Sequence, residues 1–299
     1  MALPAVFLQS TNFIDACYIV AFSLFIYGMS GLTGPRTAVR GNLIAAAGMA
    51  IAVIATLLTP HVWSGSSTPW LIVLGLVIGT AIGIPAARRV HMTAMPQMVA
   101  LFNGVGGGAV AIIAWIEYRH HFGGHYILKS EIPTLFAAIV GSISFWGSNI
   151  AFGKLQGVIA GRPIKLPGQA IINGALFVIT VASAIILAAG THSQALFILG
   201  ILLAAAILGN MVVLPIGGAD MPVVISLLNA FTGLSAAATG VALNNTAMIV
   251  AGMIVGASGT ILTNLMAKAM NRSGPAIVAG GFGGETAAPT AGDVERGPV

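Results

Sequence analysis

From about residue 12 to about residue 267 the chain alternates between apolar runs of roughly 18–24 residues and short polar breaks. The runs show no apolar/polar alternation of the kind a half-buried strand needs, and they are twice the length of a barrel strand. They fit helices long enough to cross a bilayer, where every backbone N–H and C=O must find its partner inside the segment. Spans are predicted near 12–32, 41–59, 70–87 and 94–116 in the first half, and near 132–153, 169–189, 195–214, 222–243 and 246–267 in the second. The faintest boundary is the one at Asn244–Asn245, which rests on a short Asn turn alone.

Composition sharpens this picture. Of 299 residues, 57% are hydrophobic and 6% charged, against about a quarter charged in a soluble domain. A soluble fold is excluded, and the fold class is an all-α transmembrane bundle of about nine helices. The net charge of +5 would point to nucleic acid in a soluble protein, but here the charges sit between the spans. Arg36, Arg40, Arg88, Arg89, Lys154, Arg162, Lys165, Lys268, Arg272 and Arg296 fall on one side, and Arg119 and Lys129 on the other. By the positive-inside rule the first side is cytoplasmic. An odd number of spans then puts the N-terminus outside and the C-terminus in the cytoplasm. No Lys or Arg precedes Arg36, so the first run lacks the basic start of a signal peptide and reads as a retained helix.

After Arg272 the sequence passes through Pro275 to Ala279 and a Gly280-Gly281-Phe282-Gly283-Gly284 run into a polar tail. This composition cannot bury a core. Residues 1–273 are therefore read as a membrane domain and 274–299 as a linker toward a soluble domain, removed or separately encoded.

Several motifs carry a packing reading beside a functional one. Gly75, Gly79 and Gly83, Gly104 with Gly108, and Gly252 with Gly256 form small-residue stripes that let helix backbones approach. Gly104-Val105-Gly106-Gly107-Gly108-Ala109 matches a dinucleotide fingerprint, yet it lies inside a span rather than after a strand. No G-x-x-x-x-G-K-[ST] loop is present. The six histidines, His61, His91, His120, His121, His125 and His192, fall in loops. His120, His121 and His125 could hold a metal, but a solvated loop is the simpler reading. The lone Cys17 builds neither a disulfide framework nor a metal cluster.

Polar residues within the spans say more, because an unpaired polar group in hydrocarbon is costly. Asn103, Ser148, Asn149, Asn173, Asn210, Ser226, Asn229, Thr232, Ser235, Thr239, Ser258 and Asn264 are expected to bond between helices or, together, to line a hydrated path. None titrates near neutral pH. Asp220, in a Gly- and Pro-rich break, either caps the next helix or shapes a contact with something cytoplasmic.

The segments Gly217-Gly218-Ala219-Asp220-Met221-Pro222-Val223-Val224, Ser226-Leu227-Leu228-Asn229, Lys268-Ala269-Met270-Asn271-Arg272-Ser273 and Val278-Ala279-Gly280-Gly281-Phe282-Gly283 resemble the beta subunit of proton-translocating NAD(P) transhydrogenase. Ala151-Phe152-Gly153-Lys154-Leu155 and Gly48-Met49-Ala50-Ile51-Ala52 are similar to it as well. The resemblance runs through essentially the whole chain. It implies the proton-conducting part of an inner-membrane enzyme that couples proton flow to hydride transfer between NADH and NADP. It implies alpha-type subunits and an NADP(H)-binding domain as partners, a homodimeric complex, and no nicotinamide bound by this segment itself. By position, Asn229 and Ser148 correspond to the proton path, and Asp220, Lys268 and Arg272 to residues facing the NADP(H)-binding domain. Many members carry a channel histidine where this chain has Asn103. Asn103 cannot carry a proton as imidazole does, so the titratable group must come from elsewhere; the working expectation is a histidine of an alpha-type membrane subunit beside Asn103, with Asn103 and Asn229 holding water. A secondary transporter or channel for a small solute is the rival reading, although the two halves show no clear repeat; a structural scaffold is a third, which the polar interior makes less attractive.

Overall fold

The computed structural model describes residues 10–31, 34, 36–63, 68–120 and 128–270. Arg272, the 274–299 tail, His121 and His125 lie outside them. Among the described residues nine helices are long and apolar enough to cross a membrane: α1 (Thr11–Ser30), α2 (Ala38–Leu58), α3 (Thr68–Arg89), α4 (Met95–His120), α5 (Leu128–Leu155), α6 (Gln169–Ala188), α7 (Leu196–Val213), α8 (Met221–Ala242) and α9 (Thr246–Ala269). At 1.5 Å per residue, about 20 residues cover the roughly 30 Å of hydrocarbon.

Local chemistry sets the helix ends. Ser10 caps α1 by accepting from the Phe13 N–H, and Asn245 caps α9 by accepting from the Met248 N–H at 3.0 Å. The Asn244–Asn245 break is a full chain reversal. Asn244 takes the left-handed conformation (φ 50°) that Asn tolerates, and the Asn245 N–H returns to the Gly240 carbonyl at 2.8 Å, closing α8 in a Schellman turn. The first turns of α7, Leu196–Leu203, are wound as π-helix before α-helix resumes at Ala204.

Glycine decides which helices meet. A Cβ on Gly107 would lie 3.0 Å from the Gly141 carbonyl oxygen, and one on Gly233 would lie 2.5 Å from the Gly256 nitrogen, so α4 packs on α5 and α8 on α9 backbone to backbone. Gly28 and Gly41 bring the end of α1 against the start of α2 in the same way. The Gly104/Gly108 and Gly252/Gly256 stripes thus do what the sequence predicts. The Gly75/Gly79/Gly83 stripe does not, among the described residues: a Cβ added at any of the three would meet nothing within 4 Å. The reason is the placement of α3, which touches the Pro60–Trp63 turn and whose apolar stretch is buried by no other helix.

Three apolar clusters hold the rest. One joins Ala100, Ala151, Val213, Met221, Val223 and Ala267 where α8 begins and α9 ends. A second, at the opposite end, contains Val110, Leu135, Leu187 and Ile201, with the Tyr118 ring stacked on Phe197 at 4.4 Å. The third ties α1 to α2 through Ile14, Tyr18, Ala21, Ala52 and Ala55. These antiparallel contacts gather Arg40, Lys154, Asp220 and Lys268 at one end of the bundle, the basic end, and Arg119 and Lys129 at the other.

Candidate functional site

Between the first two apolar clusters, roughly at mid-height, α4, α5 and α8 meet in a polar knot. Asn103 of α4 is 8% exposed, and its Nδ2 donates to Ser148 Oγ at 2.8 Å and to Ser144 Oγ at 3.3 Å. Ser144 and Ser148 are one turn apart and share a face of α5, and both are fully buried. Ser144 Oγ also lies 3.0 Å from the Leu228 carbonyl and 2.5 Å from Thr232 Oγ1 on α8, and Thr232 Oγ1 donates to the Leu228 carbonyl at 3.1 Å.

The glycine stripe makes the knot possible. Asn and Ser side chains are short, so they join across helices only where backbones nearly touch. A Cβ on Gly104 would sit 3.3 Å from Ser148 Cβ, and one on Gly107 would sit 3.1 Å from Ser144 Cβ. The same Gly104–Gly108 run that resembles a nucleotide fingerprint lies wholly inside α4 and serves this approach.

One atom of the knot stays open. Asn103 Oδ1 is buried and has no hydrogen-bond partner among the described residues. An amide oxygen can accept two bonds, and leaving a buried acceptor unpaired costs about 1–3 kcal/mol. On the same helix, Gln97 Nε2 donates to the Leu155 carbonyl at 3.2 Å while its Oε1 is likewise open. The cluster can therefore order and relay hydrogen bonds and accept a further donor at Asn103, but it contains no group that gains or loses charge near neutral pH.

Of the residues singled out in the sequence, Asn103 and Ser148 are bonded to each other and Thr232 joins them. Asn229 lies one turn from Thr232 on α8, half-buried, and its side chain makes no hydrogen bond to the knot among the described residues. Ser226 bonds across to α9, receiving Thr263 Oγ1 at 3.0 Å. Asn149, Ser235, Thr239 and Ser258 instead bond backbone carbonyls of their own helices. Asn173 is fully buried on α6; Asn210 is half-buried on α7, and its Oδ1 is open among the described residues. Asn264 departs from expectation: it is exposed, because the neighbouring Gly252, Gly256, Gly259 and Thr263 turn their face of α9 toward the bundle and carry Asn264 away from it.

Asp220 ends the short Gly218–Asp220 turn and occupies the N-cap position of α8, yet its carboxylate makes no capping bond, which disfavours the simple cap reading. Lys268 is exposed in the last turn of α9. A rise of about 1.5 Å per residue puts Asn229 roughly 14 Å and Thr232 roughly 18 Å along α8 from Asp220. His91, His120 and His192 are exposed at helix ends or in loops. Sequence reasoning missed Ser144, the hub of the knot, although its one-turn spacing from Ser148 marks it; it also counted Lys154 as a loop charge, whereas its side chain is buried.

Comparison with known proteins adds the family. The profile of the NAD(P) transhydrogenase beta subunit matches residues 14–297. Two curated relatives, both NAD(P) transhydrogenase subunit beta of Rhodospirillum rubrum, one assigned to the species and one to a strain of it, are each 44% identical over 283 residues. The match covers 93% of this chain and 60% of each relative, so the chain spans about three fifths of their length. With a profile match along nearly its whole length, on a bundle of membrane-spanning helices, the chain belongs to the NAD(P) transhydrogenase beta subunit family.

Proposed function

We propose that this chain is the proton-translocating membrane part of a nicotinamide nucleotide transhydrogenase, coupling proton flow to hydride transfer carried out by partner soluble domains. The observation that carries the proposal is the buried Asn103–Ser144–Ser148–Thr232 knot with its open Asn103 oxygen, a polar cluster joining three membrane-spanning helices in a chain of the NAD(P) transhydrogenase beta subunit family. Asn103 and Ser148 lie on the path, Asn229 extends it toward the basic end, and water bonded to Asn103 Oδ1 continues it. The charge-changing step belongs to a histidine of an alpha-type subunit beside Asn103, since an amide cannot hold the proton.

Asp220, Lys268 and Arg272 face the NADP(H)-binding domain. Residues 1–273 form the membrane domain, and 274–299 lead toward that soluble domain. The basic end is cytoplasmic and the N-terminus outside, because ten of the twelve Lys and Arg side chains then fall on the cytoplasmic side. The complex sits in a bacterial inner membrane as a homodimer with alpha-type subunits. NADP(H) and NAD(H) are held by the soluble domains; the Gly104–Ala109 run of nucleotide-binding pattern lies inside α4, which speaks against a dinucleotide site at that run. Nucleotide occupancy opens the path to one side at a time by shifting a two-state equilibrium.

Coexpression with the alpha-type chains and the NADP(H)-binding domain, followed by nucleotide-driven acidification of inverted vesicles, tests this. Acidification is expected, and is expected to vanish when the partner's membrane histidine is replaced by alanine. Undiminished pumping by that variant would reject the shared path.

A further inference from the structure

Lys154, in the last turn of α5, is 4% exposed, and no carboxylate lies within ion-pair distance of it among the described residues. A buried ammonium without a countercharge is costly unless strong acceptors replace its water. Two do: Nζ donates to the Leu214 carbonyl and, at 2.7 Å, to the Ile216 carbonyl. Leu214 closes the end of α7, where helix carbonyls carry partial negative charge. A lysine here is thus held by main-chain atoms of the segment that runs on through Gly217 and Asp220 into α8.

The surroundings make this segment a plate rather than a loose loop. The Ile164 N–H donates to the Leu214 carbonyl at 3.1 Å, the Gly218 N–H donates to the Gly161 carbonyl at 2.8 Å, and Gln97 ties α4 to the Leu155 carbonyl beside Lys154. Six residues up α5 from Lys154 is Ser148 and ten is Ser144; four residues beyond Ile216 is Asp220, and twelve beyond that is Thr232. Ser144 and Thr232 are themselves bonded. α5 is consequently pinned twice, to α8 at mid-height by hydroxyls and to the Leu214–Ile216 segment at the basic end by one ammonium, and Asp220 lies in the stretch of chain between that segment and α8.

We propose that Lys154 is a positioning residue that fixes the height of α5 against the Leu214–Asp220 segment, so that displacement of this segment is delivered to the Asn103–Ser144–Ser148–Thr232 knot rather than absorbed at the end of α7. This rests on the proton-translocating reading above and names the part that would convey the state of the basic end to the path. With the pin removed, the segment still moves but slides over α5, and hydride transfer continues while proton movement lags.

The test uses the assembled complex, with the alpha-type subunits and the NADP(H)-binding domain, in sealed vesicles, and reads protons moved per hydride transferred. Lys154→Met is expected to lower this ratio by about fivefold or more, the lower range of a site-to-site coupling, with the hydride-transfer rate in permeabilised vesicles held within about twofold of wild type. Lys154→Arg, which keeps a permanent donor, is expected to restore most of the ratio. If Lys154→Met fails to assemble, Lys154→Gln is measured in its place. An unchanged ratio, or a rate and ratio that fall together, in whichever neutral variant assembles would overturn the proposal. Absence of proton movement in the wild-type complex would instead sink the function on which it rests.

Discussion

Asn103 can donate two hydrogen bonds and accept two, and among the described residues it uses only its donors. That asymmetry governs what substitutions should do. Ser148→Ala removes one acceptor and leaves Asn103 bonded to Ser144, so the loss of stability in detergent should be about 0.6–1.7 kcal/mol, the range for interhelical hydrogen bonds in bilayers. Ser144→Ala should cost more than Ser148→Ala, because it cuts Asn103 from α8 altogether; an equal cost, read by thermal unfolding of the two variants, would deny Ser144 its place as the hub. Asn103 and Ser148 were legible in the sequence since a polar group in hydrocarbon must bond inward. Asn264 obeys no such rule here, its direction being set by the glycine face beside it. Lys154 was illegible: its acceptors are backbone atoms about sixty residues away, and no side-chain pattern announces them.

At the scale of elements, periodicity and length placed all nine spans within a few residues of their helices, including the Asn244–Asn245 reversal. What they could not supply is which helix meets which. Glycine stripes supply it only in part, as α3 demonstrates. Two substitutions separate the cases. Gly233→Val would place atoms where the Gly256 backbone lies and should part α8 from α9, lowering thermal stability by about 1–3 kcal/mol, as overpacking does. Gly79→Ala, on a helix face that meets nothing within 4 Å, should leave the isolated chain's stability unchanged or raise it slightly through helix propensity of up to about 1 kcal/mol. Calorimetry of the two purified variants would tell them apart; equal destabilisation would mean that α3 is packed within the chain.

At the scale of the molecule, the bundle is organised as a polar knot between apolar clusters, with a hydrogen-bonded plate closing its basic end. The charge bias in the sequence and the antiparallel packing agree on which side chains share an end. A cysteine at Arg162, in a Cys17→Ala background, should react with an impermeant thiol reagent only from the cytoplasmic face, and one at Asn244 only from outside; the reverse labelling would invert the proposed topology. A transporter for an unrelated solute receives no support from the family match, and the absence of a titratable group from the knot is met if a partner helix docks beside Asn103.

The most direct measurement is proton movement per hydride in vesicles carrying the assembled complex with Asn103→Leu, which fills the same space without donors or acceptors. Acidification is expected to fall at least tenfold, about 1.4 kcal/mol of barrier, while nucleotide-to-nucleotide hydride transfer persists in permeabilised vesicles. Acidification at the wild-type rate in that variant would show that protons do not pass the Asn103–Ser144–Ser148–Thr232 knot.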